Sequence, residues 1–316
     1  MKKFLPLLPA LFLASSCTKK NSEETQTDGT IVTTIGMIAD VTREIAGDKQ
    51  EVINLIGEGI DPHNHNPTKS EVDRIQKAGL VFYNGHFLEG QMGTLLEGRN
   101  KKGHPTIAVA EGLESVELIG DGNHPDPHLW MDVEIWSKVA ENIGTQLTEF
   151  DPDNKDHYAQ RFEEYRQSLA ALHTDAIMAL STIPPDQRVL VTAHDAFSYL
   201  GRAYGLEVRG IQGISTESEA GTKDINDLVD FLVEKKIPAI FVESSVPQKS
   251  VRAVIEGAAA QGHIVKIGGE LFSDAMGPKG SYEGTYIGMI DHNITTITNA
   301  LGGAVPQEGF NGEFSN

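Results

Sequence analysis

Cysteine is almost absent. The chain has one in 316 residues, Cys17, so the rest of it can form neither a disulfide nor a thiolate metal site. Basic side chains are also scarce. Only 26 Lys and Arg stand against 45 Asp and Glu, a formal net charge of −19 at pH 7. A surface of that sign repels nucleic acid and anionic membranes and attracts cations. The apolar run from Phe4 to Ala14 is shorter than the ~20 residues a helix needs to cross a bilayer. No His-Glu-x-x-His pair marks a zinc-hydrolase helix. What remains is ordinary for a folded protein: 39% hydrophobic and 22% charged, at a length that favours two lobes.

Residues 1–17 have the layout of a leader: Lys2-Lys3, the apolar run, then small Ser15-Ser16 before Cys17. A lone Cys at that point resembles the lipidation site of a bacterial lipoprotein, so Cys17 is expected to be acylated and to hold the chain on a membrane, facing periplasm or exterior. Residues 18–30 are polar and read as a flexible tether. From Ile31 strands and helices alternate, which predicts an α/β fold with mostly parallel sheets flanked by helices. Strands are expected at 31–35, 52–56, 80–83 and 106–109, then at 188–192, 207–212, 239–243 and 264–267. Helices are expected at 37–46, 68–77, 132–150, 196–204, 223–235, 248–260 and 282–301. Residues 155–180 contain no Pro or Gly, and Tyr158, Phe162, Tyr165, Leu169, Leu172, Ala176 and Leu180 recur every three or four positions. That spacing predicts one helix of about 39 Å, at ~1.5 Å per residue. The expected organisation is an N-terminal lobe at 31–150, a linker helix at 151–183, a C-terminal lobe at 184–308 and a tail at 309–316.

Two Asp-Pro-His triplets stand out, Asp61-Pro62-His63 and Asp126-Pro127-His128. Pro fixes its own φ and pushes the preceding residue into extended backbone, so each triplet aims its His in a defined direction. Thr192-Ala193-His194-Asp195 and Ser273-Asp274-Ala275-Met276-Gly277 complete the set. These loops follow expected strands, where open α/β sheets bind ligands. Two fall in each lobe, so His63, His128, His194 and Asp274 are expected to bind one transition-metal ion in the interlobe cleft. Three imidazoles and a carboxylate suit Zn²⁺, Mn²⁺ or Fe²⁺, whereas Ca²⁺ and Mg²⁺ prefer oxygen alone. His65 and His124 compete for the role by proximity; His86 and His104 read as ordinary loop residues. Asp195 and Glu243 are expected to orient the ligand imidazoles.

Together with Asn84-Gly85-His86-Phe87-Leu88-Glu89 and Phe241-Val242-Glu243-Ser244-Ser245, these motifs give the chain a resemblance from about 31 to 301. It resembles the zinc/manganese-class solute-binding lipoproteins of bacterial ABC importers. The resemblance implies two α/β lobes joined by one rigid long helix, with the family's ligands falling on His63, His128, His194 and Asp274. It also implies a membrane permease as partner, no nucleic acid, no enzymatic activity and a monomer. Manganese-dedicated members often carry Glu where this chain has His194. Zinc-specific members often carry a long His-rich loop where 119–126 is short. The chain therefore sits between the Mn²⁺ and Zn²⁺ patterns. A zinc-dependent hydrolase is the rival reading, since three ligands and a water define catalytic zinc; a metal-binding adhesin is a third. The glycines around 268–280 make Asp274 the ligand expected to let go first.

Overall fold

In the computed structural model, which describes residue 1 and residues 29–113, 116–120 and 124–314, the fold is built on parallel strand pairs. Cys17 and almost all of the tether lie outside the described residues. In the first lobe, β1 (Ile31–Thr33), β2 (Val52–Asn54), β3 (Leu80–Tyr83) and β4 (Thr106–Ala108) make a four-stranded parallel sheet in the order β2-β1-β3-β4. Around it lie α1 (Gly36–Ala46), α2 (Lys69–Lys77), α3 (Gly93–Lys101) and α4 (Val133–Phe150). The expected helix starts are there with their caps. Thr68 Oγ1 accepts the Glu71 N–H at 3.3 Å while the Glu71 carboxylate takes the Thr68 N–H at 2.6 Å. Asp132 accepts the N–H groups of Glu134 and Ile135 at the start of α4.

α5 (Lys155–Ser181) runs 27 residues without interruption, about 40 Å at ~1.5 Å per residue. It touches both lobes. Arg161 Nε donates to the Glu44 carbonyl on α1 at 2.8 Å, and His173 Nδ1 pairs with the Tyr204 hydroxyl at 3.1 Å. The second lobe carries β5 (Val189–His194) paired with β6 (Glu207–Gln212), and β7 (Ala239–Glu243) paired with β8 (Lys266–Leu271), all parallel. The two pairs lie side by side with β5 next to β7. α6 (Ser198–Tyr204), α7 (Thr222–Lys235), α8 (Lys249–Ala260) and α9 (Tyr286–Ala300) complete the chain.

Three differences from expectation have physical causes. α3 was not foreseen because Gly93 and Gly98 dilute its pattern and only Leu96 and Arg99 are buried. β8 starts later and runs through Gly268-Gly269. A Cβ on Gly268 would sit 2.8 Å from the Phe241 ring, so the glycine there serves close strand packing rather than a break. The lobes are also joined by more than α5. One apolar core runs from the first sheet through α4, α5, α6 and α9, and the Tyr286 ring of α9 stacks on Trp136 of α4 at 5.4 Å. A second, smaller core holds Val191, Ile211, Leu232, Ile240 and Val254. Among the described residues no helix is long and apolar enough to cross a membrane.

Candidate metal centre

The parallel strands deliver four side chains to one point. His63 lies in the loop after β2, His128 in the loop between β4 and α4, His194 ends β5, and Asp274 follows β8 by three residues. All four are buried, and their ligand atoms lie within 4.8 Å of one another. Each imidazole presents Nε2. His128 Nε2 is 3.3 Å from His63 Nε2 and 3.4 Å from His194 Nε2. Asp274 Oδ1 is 3.3 Å from His128 Nε2, and Oδ2 is 3.3 Å from His194 Nε2 and 3.7 Å from His63 Nε2. The three Nε2 atoms and both Asp274 oxygens therefore face one small space, close enough together for a single ion to be held by all four residues.

Hydrogen bonds on the far side of two rings decide which nitrogen is free. Asp126 Oδ1 lies 2.6 Å from His128 Nδ1 and also accepts the His128 backbone N–H at 3.0 Å. Glu243 Oε2 lies 2.5 Å from His194 Nδ1, and Oε1 accepts the His194 N–H at 2.8 Å. A carboxylate at Nδ1 keeps a proton there, so the nitrogen left to bind a cation, once its own proton is displaced, is Nε2, which faces the centre. His63 has no such partner at Nδ1 among the described residues. Asp61 Oδ1 accepts only its backbone N–H, at 2.9 Å, and Oδ2 is taken by Thr216 Oγ1 at 2.5 Å and Asn64 Nδ2 at 2.9 Å.

The electrostatics follow from burial and partners. Burial pushes the His128 imidazole down, but the Asp126 and Asp274 carboxylates outweigh it and raise its pKa to about 9. Burial likewise opposes charge on His194, yet Glu243 and Asp274 hold it well above its ordinary value. At His63 burial wins and the pKa falls to about 4. Burial would raise Asp274, but His194 and His128 hold it well below the usual carboxylate range. Both Asp274 oxygens are buried and accept no hydrogen bond; the 3.3 Å approaches are longer than the about 2.8 Å of a charge-assisted bond. Without metal the Asp274 carboxylate is balanced by charge on His128 and His194, and a cation that displaces their Nε2 protons takes over that role.

The remaining sequence candidates separate clearly. His65 pairs with the Glu71 carboxylate at 3.3 Å, outside the four. His124 packs its ring on Phe87 at 5.4 Å. His86 Nε2 meets the Ala110 carbonyl at 2.9 Å, and His104 sits in the loop before β4. Glu243 orients a ligand ring, whereas Asp195 accepts from Ser198 Oγ at 2.7 Å and serves the start of α6. Sequence reasoning missed Asp126 as a ring partner. The available signal was its place two residues before His128, where a side chain can fold back on the N–H it precedes.

Comparisons with known proteins show the family. The family model described as zinc-uptake complex component A, periplasmic, matches residues 31–300. The zinc-binding protein TroA of Treponema pallidum is 43% identical over 283 residues, covering 89% of this chain and 92% of TroA. The manganese-binding lipoprotein MntA of Bacillus subtilis is 43% identical over 275 residues, 86% of this chain and 89% of MntA. The solved structure of the periplasmic zinc-binding protein TroA superposes with a TM-score of 0.84 over 86% of this chain and 99% of that one.

Proposed function

The chain belongs to the family of periplasmic zinc-uptake component A proteins, and on that premise we propose that it captures Zn²⁺ or Mn²⁺ outside the cytoplasmic membrane and hands it to the permease of an ABC importer. The observation that carries this reading is the convergence of three buried Nε2 atoms on a buried Asp274 carboxylate that accepts no hydrogen bond. The metal is cargo, and the ligands are His63, His128, His194 and Asp274. The relatives' names support both metals, and Fe²⁺ suits the same donors. At equilibrium zinc is expected to bind tighter than manganese, following the general order of divalent affinities.

A hydrolase needs an open coordination position for water and substrate. Four protein ligands, all buried, argue against that rival, and nothing favours an adhesin. The lobes at 31–150 and 184–308 would hold the ion between them, with 151–183 as the strut and 309–316 as a tail. We place the anchor on Cys17, acting through the tether at 18–30, with the folded chain as a monomer. Cys17→Ser then moves the protein from the membrane to the soluble fraction; retention on the membrane rejects the anchor.

The deciding experiment is native mass spectrometry of protein from metal-limited medium, titrated with Zn²⁺ and Mn²⁺. One ion per chain is expected, with His63→Ala, His128→Ala and His194→Ala each losing at least about tenfold in affinity, or about 1.4 kcal/mol. Wild-type affinity in all three variants would sink the assignment.

A further inference from the structure

Phe87 is anomalous for a surface residue. The residue is 69% exposed, and its backbone lies in the left-handed region at φ 65°. It follows His86 at φ 50° and Gly85 at φ 89°. Residues with a Cβ rarely adopt that conformation, and two in succession persist only where their surroundings over-determine them. Here they do. Glu111 Oε1 accepts the His86 N–H at 2.9 Å, and the His86 ring is fixed to the Ala110 carbonyl. Buried Glu89 accepts the N–H of Asn84 at 2.7 Å, the N–H of Gly85 at 3.2 Å and the Thr34 hydroxyl at 2.7 Å. None of these groups belongs to the four-residue centre. Their combined effect is to hold an aromatic ring out in solvent.

The place of that ring is informative. Loops after β2, β3 and β4 leave the same end of the parallel sheet, the end that carries His63 and His128. Ile60, Phe87 and Leu118 are the exposed large apolar residues of those loops. The Phe87 ring rests on His124, four residues before His128. A Cβ at Gly90 would lie 3.6 Å from the His63 carbonyl, so the segment after Phe87 runs against the first ligand's backbone.

We propose that Phe87 anchors the first lobe on the extracytoplasmic face of the importer permease. This rests on the transport reading, in which the ion leaves past the loops that cover His63 and His128. The surface around those loops is then the one the permease meets. A ring pre-set by its backbone loses little freedom on docking, and aromatic side chains are the usual anchors of protein interfaces. The net charge of −19 opposes an anionic lipid surface as the occupant.

The test uses the metal-loaded full chain and its permease–ATPase complex in lipid nanodiscs. Phe87→Asn removes the ring and keeps a residue that tolerates left-handed backbone; Phe87→Trp keeps an aromatic. Phe87→Asn is expected to dock at least tenfold more weakly, with zinc affinity within twofold of wild type and a thermal midpoint no lower. Phe87→Trp is expected to dock as wild type does. Equal docking by Phe87→Asn overturns the proposal, and so does a parallel loss of zinc affinity, which would make the ring part of the metal site. Phe87-dependent binding of the Cys17→Ser protein to permease-free phosphatidylcholine–phosphatidylglycerol vesicles overturns it in favour of lipid. If wild type binds neither zinc nor manganese, the transport reading fails and takes this inference with it, an outcome distinct from the others.

Discussion

Glu243→Gln isolates the orientation of one ligand. Glu243 is buried at the end of β7, where one oxygen accepts the His194 N–H at 2.8 Å and the other lies 2.5 Å from Nδ1. Gln has the same shape but only one acceptor. If its oxygen keeps the backbone N–H, its NH₂ faces Nδ1, and two donors meet. The ring must then move its proton to Nε2, the atom that faces the centre, and the ligand is lost. If the oxygen keeps Nδ1–H instead, a buried backbone donor is stranded, at a cost of about 1–3 kcal/mol. Losing such a partner typically lowers metal affinity by about 10–100-fold, or about 1.4–2.8 kcal/mol. Competition against a chromophoric zinc chelator at fixed pH measures it directly. Thermal unfolding gives a second reading, because each tenfold loss of affinity removes about 1.4 kcal/mol of zinc-linked stabilisation. Asp195→Asn is the control: its carboxylate serves Ser198, so affinity should stay within about twofold. A folded Glu243→Gln protein that binds zinc like wild type would refute the claim that this carboxylate sets the ring.

Other consequences are as direct. His128 keeps a proton up to about 9 unless metal displaces it, and His194 is held protonated as well, so zinc affinity should rise with pH across the neutral range; His63, pushed to about 4, competes only in acid. Calorimetry in buffers of different ionisation enthalpy should show proton release near neutrality, and a pH-independent affinity between about 6 and 8 would refute this. Thr216→Val removes the hydroxyl that joins the second lobe to Asp61, a bond to a charged group worth about 1.5 kcal/mol. Zinc release to excess chelator in stopped flow should therefore quicken about tenfold, and an unchanged rate would remove the latch from the argument. Tyr286→Phe leaves the buried Trp130 carbonyl without its 2.8 Å donor and should lower stability by about 1–2 kcal/mol in chemical denaturation. Because α5 and α9 both cross between lobes, small-angle scattering should find little change in radius of gyration on metal binding; a large drop would show a free hinge.

The parts of the fold that could be read from the sequence are those with local causes. α5 was legible because nothing in residues 155–181 breaks a helix and its apolar stripe, with half-buried Phe162 between Tyr158 and Tyr165, recurs every three or four positions. β6 and β7 match their expected spans because Gly205, in the left-handed conformation, and Pro238 bound them. α3 and β8 were obscured by glycines that are there for packing. The four central residues were legible because each lies at or beyond the end of a strand and two sit in rigid Asp-Pro-His triplets. Of their expected outer partners Glu243 reaches a ring and Asp195 does not, while Asp126, two residues from His128, was missed. Asp195 is adjacent to His194 in sequence yet turns to Ser198. Glu243, 49 residues away, arrives only because β7 lies beside β5.

The same distinction changes which ligand yields first. Glycines near Asp274 suggested a loose loop, but its bonds point the other way. The Ser273 carbonyl accepts from Trp130 Nε1 at 2.8 Å, Ser273 Oγ meets Ser245 Oγ, and Phe272 is bonded twice to Asn293. Gly277 N–H is held by the Glu283 carbonyl. His128 and His194 are each clamped by a carboxylate. His63 has none, because Asp61 turns its second oxygen to Thr216 across the cleft. Ligand loss is least costly where the fewest other bonds must break, and that is His63. The first triplet looks like a copy of the second but does something different. Its Asp ties the first ligand's backbone to the opposite lobe, so parting the two lobes at Thr216 frees His63 before it disturbs the other three.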